Sequence, residues 1–265
     1  MAVRRVVTAD IEAALGDSTA LAFAVAVADG VERDEELELT LDARPIEATA
    51  LADLHGTRLH ALRAGPGRLT LRYRAVVTGQ AEPPSVTPLD AIVYARPSRY
   101  CPSDALTPTA RELFSGLAGH DLLRAVRDWV HGRTAYVSGS SSPTDSAMET
   151  LLSRQGVCRD FAHLVIAMLR ALDVPARLVA VYAPGLAPMD FHAVVEAAVD
   201  GRWFVVDATG LAPRQSLLRI STGRDAADTA FLTNTLADLE LTRLEVTATV
   251  DELPGDDHTA PVQLG

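Results

Sequence analysis

There is no lysine in the 265 residues; all 24 basic side chains are arginine. The protein therefore has no ε-amine of its own to offer in acyl transfer. Positive charge is also in deficit: 24 arginines against 35 acidic residues leave a net charge of −11 with His neutral. Such a balance does not neutralise a nucleic-acid backbone, so no nucleic-acid partner is expected. Two cysteines, Cys101 and Cys158, are too few for a disulfide framework. Long apolar runs are missing as well. The longest near the start, Ala20 to Ala28, is too short for a membrane span. Met1-Ala-Val-Arg-Arg leads into Thr8, Asp10 and Glu12, without a signal-peptide core. The expectation is a cytoplasmic protein with reduced thiols and no membrane partner. Glycine-rich phosphate loops and the short Cys/His spacings of metal sites are absent, so neither a cofactor nor a metal is expected.

What is present is a globular composition, 48% apolar and 22% charged. The first ninety-odd residues alternate with period two. In Arg68 to Ala75, Leu69, Leu71, Tyr73 and Ala75 share one face, and Ala64-Gly-Pro-Gly67 is a turn signal before them. A small antiparallel sheet with one buried face is expected there. Glu82-Pro-Pro-Ser-Val-Thr-Pro88 marks a linker, after which the period becomes helical. Helices are expected over Asp121–His131, from Ser146 to Leu152, and from about Val157 to Leu172, where Asp173-Val174-Pro175 stops the last. Strand-like runs follow at Arg177–Tyr182, His192–Val199 and Arg202–Ala208, with a hairpin signal at Asp200-Gly201. The expected class is α+β: an N-terminal β-rich domain over 1–95, a core over 96–250 and a flexible tail over 251–265.

Cys158 falls at the first turn of an amphipathic helix, where unpaired amides and the positive end of the dipole favour a thiolate. A buried cysteine used as a small hydrophobe is the competing use. The hairpin supplies context. If Asp200-Gly201 is a two-residue turn, Val199 pairs with Arg202 and Val194 lies opposite Asp207. His192 and Asp207 are then diagonal neighbours on one face, about 7–8 Å apart along the backbone. An Asp aimed at an imidazole fixes its tautomer and leaves the other ring nitrogen for a thiol. His163, five residues after Cys158, sits about 140° round the helix and cannot face the thiol. It reads as packing or hydrogen-bonding inside the fold. His131 ends the earlier helix, and Cys101 reads as a loop or core thiol.

At these residues the chain resembles the bacterial transglutaminase-like family. The matching stretches are Gly156-Val-Cys-Arg-Asp-Phe-Ala-His-Leu164, Val174-Pro-Ala-Arg177, Asp190-Phe-His-Ala193 with Glu196, and Gly201-Arg-Trp-Phe-Val-Val-Asp-Ala-Thr209. Arg96-Pro-Ser-Arg-Tyr100 and Gly223-Arg-Asp-Ala-Ala-Asp228 extend the match, which covers most of the chain. The resemblance implies a papain-like core, a helix carrying Cys packed on an antiparallel sheet carrying His and Asp, preceded by an antiparallel β domain. It implies Cys158 as nucleophile, His192 as general base and Asp207 as orienting carboxylate. Two positions depart from the family. Val194 stands where it has tryptophan, which is expected to alter the substrate channel. Ala208 stands where it has proline, which is expected to loosen the loop holding Asp207.

The expected chemistry is acyl transfer from an amide or peptide carbonyl through a Cys158 thioester, with the Cys158 amide and Gln155 as candidate oxyanion donors. The expected partner is a protein, peptide or small amide substrate. Water as acceptor makes a protease or amidase; an amine makes a transglutaminase or acyltransferase. The alternative is a binding module that keeps the fold and is weakly active or inactive.

Overall fold

The computed structural model describes residues 3–235 and 238–265. Met1 and Ala2, where the first expected domain begins, lie outside the described residues, as do Leu236 and Ala237. The N-terminal strands are β1 (Arg4–Leu15), β2 (Thr19–Phe23), β3 (Glu32–Leu41), β4 (Arg44–Pro45), β5 (Thr49–Ala52), β6 (Arg58–Ala64) and β7 (Gly67–Thr78). The period-two reading of β7 holds: Leu69, Leu71, Tyr73 and Ala75 are all buried.

The expectation of one small sheet does not hold. The Gly65-Pro66 turn carries the chain from one sheet to another, because β6 pairs with β2 and β5 whereas β7 pairs with β1 and β3. Two sheets, β15-β1-β7-β3-β4 and β14-β2-β6-β5, pack face to face. Val7, Ile11 and Leu71 of the first meet Leu21 and Phe23 of the second in one apolar core.

A helical layer follows: α1 (Pro88–Val93), α2 (Ser103–Phe114), α3 (Gly119–Arg133), the two-residue strand β8 (Ala135–Tyr136), α4 (Ala147–Ser153), β9 (Gln155–Gly156) and α5 (Cys158–Arg170). A capping box of Ser146 with Glu149 starts α4. From Asp160 to Arg170 every residue of α5 is buried, so this helix is the axis of the core. It packs on β10 (Ala176–Tyr182) and β11 (Phe191–Val199), in a sheet ordered β12-β11-β10-β13 with β12 (Arg202–Val206) and β13 (Leu218–Gly223). After the short α6 (Ala226–Thr229), β14 (Leu232–Thr235) and β15 (Leu239–Val250) return to the N-terminal sheets.

Two expected boundaries are corrected by this topology. Residues 232–250 belong with the first domain, since β14 pairs with β2 and β15 runs the length of β1. The last fifteen residues are not a loose tail. Asp256 pairs with Arg214 at 2.8 Å, the Val205 N–H donates to the Val262 carbonyl, and Leu264 is buried. No described helix is long and apolar enough to cross a membrane.

Candidate active site

Cys158 is the first residue of α5, half-buried, with Val157 as the residue before the helix. Asp160 folds back so that the Val157 N–H donates to its carboxylate at 2.8 Å, and the Ser141 hydroxyl donates to its other oxygen at 3.0 Å. Gly156 is required here for space: a Cβ would stand 2.6 Å from Cβ of Asp160. β9 pairs in parallel with β8, which sets Tyr136 beside Gly156. The Tyr136 ring leans on Phe161 with centroids 5.9 Å apart, near enough to Cys158 for the two groups to influence each other's charge. Burial, and next the Cys158 sulfur, push that phenol up to about 12.

The hairpin forms with the expected register. Val199 pairs with Arg202 and Val195 with Val206, around Asp200 and Gly201, both at positive φ. His192 is then the second residue of β11, and Asp207 follows the last residue of β12. Both are buried, with His192 Nε2 3.2 Å from Asp207 Oδ2. The second Asp207 oxygen accepts from the Thr209 N–H at 2.8 Å and the Thr209 hydroxyl at 2.7 Å. Burial of the imidazole opposes its charge, but the Asp207 carboxylate and the Cys158 sulfur outweigh it and push His192 up to about 10. Burial likewise opposes the charge on Asp207; His192 and Thr209 overcome it and hold the carboxyl below its ordinary range. Nδ1 of His192 has no hydrogen-bond partner among the described residues. His192 and Cys158 open together on a cleft of about 680 Å³.

Several residues fall elsewhere than the sequence suggests. Val194 is buried with Val179 and Val205, away from the cleft. Val194 therefore does not itself line the channel. Ala208 does not leave its loop loose: its carbonyl is 2.9 Å from His131 Nδ1, and Thr209 binds Asp207. Gln155 is exposed and does not line the cleft. His163 is buried, as a packing role requires; its Nε2 accepts the Ala226 N–H at 3.1 Å. Cys101 is buried, and burial pushes its thiol up to about 12. Arg177 and Glu196 form a fully buried pair at 2.7 Å, joined by Arg219 at 2.8 Å and covered by Trp203, outside the cleft. Sequence reasoning missed Tyr136, because two-residue strands carry no periodicity.

A thiol at a helix N-terminus, facing a sheet that carries a paired His and Asp, defines the papain-like class of fold. Residues 110–208 match the transglutaminase-like superfamily. The chain resembles a solved structure assigned as a cysteine protease from Cytophaga hutchinsonii, with 32% identity, 97% of this chain and 93% of that one covered, and a TM-score of 0.86. It is also 26% identical to an uncharacterized protein of Mycobacterium leprae over 72% of this chain and 76% of the relative. A further match to an uncharacterized Mycobacterium tuberculosis protein is 36% identical over 44% of this chain and 31% of that relative. The chain belongs to the transglutaminase-like superfamily. Its relatives are bacterial, and the family together with the Cytophaga structure supports a thiol-dependent activity.

Proposed function

We propose that the protein transfers acyl groups from an amide or peptide through a thioester on Cys158, with His192 and Asp207 completing the triad. The observation that carries this reading is the buried His192–Asp207 pair, whose histidine lines the same cleft as Cys158. The Cys158 thiolate adds to the carbonyl carbon, and the carbonyl electron pair moves to oxygen. That oxygen meets the Cys158 N–H at the positive end of α5. The Tyr136 hydroxyl, near the Cys158 amide and sulfur, is our candidate for the second donor. As the intermediate collapses the C–N bond breaks, and imidazolium His192 gives its proton to the departing amine. Water or an amine then adds to the thioester, His192 takes its proton, and the thiolate leaves.

Hydrolysis is the favoured outcome, since the solved relative matched over nearly its full length is assigned as a protease. The binding-module alternative draws on Val194, which lies away from the cleft. We place the protein in the cytoplasm, in keeping with two free cysteines. A thiol-directed peptide amide mimic should label the wild type at residue 158, and Cys158→Ala should abolish that labelling. Equal labelling of the variant at another residue overturns the assignment.

A further inference from the structure

The cleft at Cys158 is built by both parts of the molecule. Its apolar wall includes Ala24, Phe231, Leu232 and Leu244, from the N-terminal sandwich and the strands that return to it. Ala180 and Ile220 of the central sheet form its floor. The lining also includes two arginines, Arg99 and Arg159.

Arg99 is exposed and takes part in no ion pair or hydrogen bond among the described residues. It is nonetheless held in place. Its guanidinium lies over the Tyr100 ring at 5.1 Å, and that ring stacks on buried His163 at 5.2 Å and 15°. The Tyr100 N–H donates to Asp225 at 2.9 Å, fixing the backbone beneath the stack. Arg159, also in the lining, uses one nitrogen to hold Ser141 and Ser142, and its Nε is buried with no hydrogen-bond partner among the described residues. Its nearest acid, Asp160 at 3.9 Å, is already occupied by the Val157 N–H and the Ser141 hydroxyl. Among the described residues lining the cleft the one acid is Asp190, two positions before His192 in the chain. In a chain of net charge −11, the cleft thus has an excess of cations.

We propose that the acyl donor is an anionic peptide or amide, with an apolar side chain seated against Ala24, Phe231 and Leu232 and a carboxylate taken by Arg99 with Arg159 beside it. A planar guanidinium already stacked on an aromatic ring gives up little freedom in binding a carboxylate. The N-terminal sandwich thus contributes part of the surface that would select the substrate. This assignment rests on the acyl-transfer reading for the orientation of the substrate, and binding tests it separately.

The full-length Cys158→Ala protein, titrated with apolar peptides in matched Glu/Gln and Asp/Asn pairs, should bind the acidic member about tenfold more tightly. Arg99→Gln should erase that difference, and Arg99→Glu should turn the preference toward a lysine-bearing twin. Arg111→Gln, on an exposed part of α2, should keep it. Equal affinity within each pair, an acidic preference surviving both Arg99 variants, or no binding of any acidic apolar peptide overturns the proposal. If acidic peptides bind as expected while wild-type Cys158 resists the amide-mimic probe, the acyl-transfer reading fails and the cleft assignment stands. Labelling of Cys158 without an acidic preference does the opposite: acyl transfer stands and the cleft assignment fails.

Discussion

His192 is held by two neighbours of different kinds, and its charge depends on both. Removing the carboxylate leaves only Cys158 to oppose burial, so Asp207→Asn should bring the His192 pKa down from about 10. In single-turnover acylation the alkaline limb, where the imidazolium proton needed by the leaving amine is lost, should then move to lower pH. An unmoved limb would remove Asp207 from its role. His192 holds its proton more tightly folded than unfolded, so its contribution to stability is complete below about 6.5 and is lost as pH rises through about 10. His163 has the opposite behaviour. Burial, only partly offset by Asp225, pushes it down to about 3, so between 6.5 and 3 the unfolded chain takes a proton that the folded one refuses. Stability should fall on acidification across that window, by up to about 1.4 kcal/mol per pH unit, and His163→Gln should flatten its share of the slope in urea titrations. Tyr136→Phe keeps the ring against Phe161 and removes the hydroxyl. The acylation rate should fall about a hundredfold if that hydroxyl serves the oxyanion.

The elements that place the candidate site differ in how plainly the sequence announces them. α5 and the β11–β12 hairpin are legible because their signals are local: helical spacing from Phe161 to Met168, the stop at Pro175, and a turn at Asp200-Gly201 that fixes register by itself. Asp207 can be aimed at His192 from that register alone. Other elements depend on contacts between distant segments. The passage between sheets at Gly65 looks like a hairpin because turn residues do not reveal which sheet receives the next strand. α2 holds Pro108 within its span and starts without a side-chain cap, so its helical signal is weak. The Tyr136 approach depends on two residues of parallel pairing. Gly156→Ala tests the junction of β9 and α5: the added Cβ must push Asp160 aside, at a cost of about 1–3 kcal/mol. Its urea midpoint should drop, and alkylation at Cys158 should change in rate as the first turn shifts.

At the scale of the whole molecule, the division at residue 95 expected from composition gives way to a continuous structure. Tyr182, Leu218 and Ile220 of the central sheet enter the core of the sandwich, and the Tyr182 hydroxyl donates to the Val25 carbonyl at 2.8 Å. The C-terminal stretch is a third attachment. Arg214 and Asp256 expose only 7% and 2% of their side chains, so Asp256→Ala leaves a buried guanidinium without its counter-charge. The expected loss is about 3 kcal/mol, measured by denaturant unfolding, and an unchanged midpoint would show that the stretch adds no stability.

The pairing of β1 with β15 has a further consequence for biosynthesis. Arg5 meets Val250 across the ladder, so β1, made before every other described strand, waits for β15, the last of them. Until β15 emerges, that flank of β1 offers unpaired amides and carbonyls to any passing nascent chain. A growing polypeptide halted short of residue 239 should therefore need chaperone cover, and the cleft, whose wall includes Leu232 and Leu244, is finished only once β15 is made.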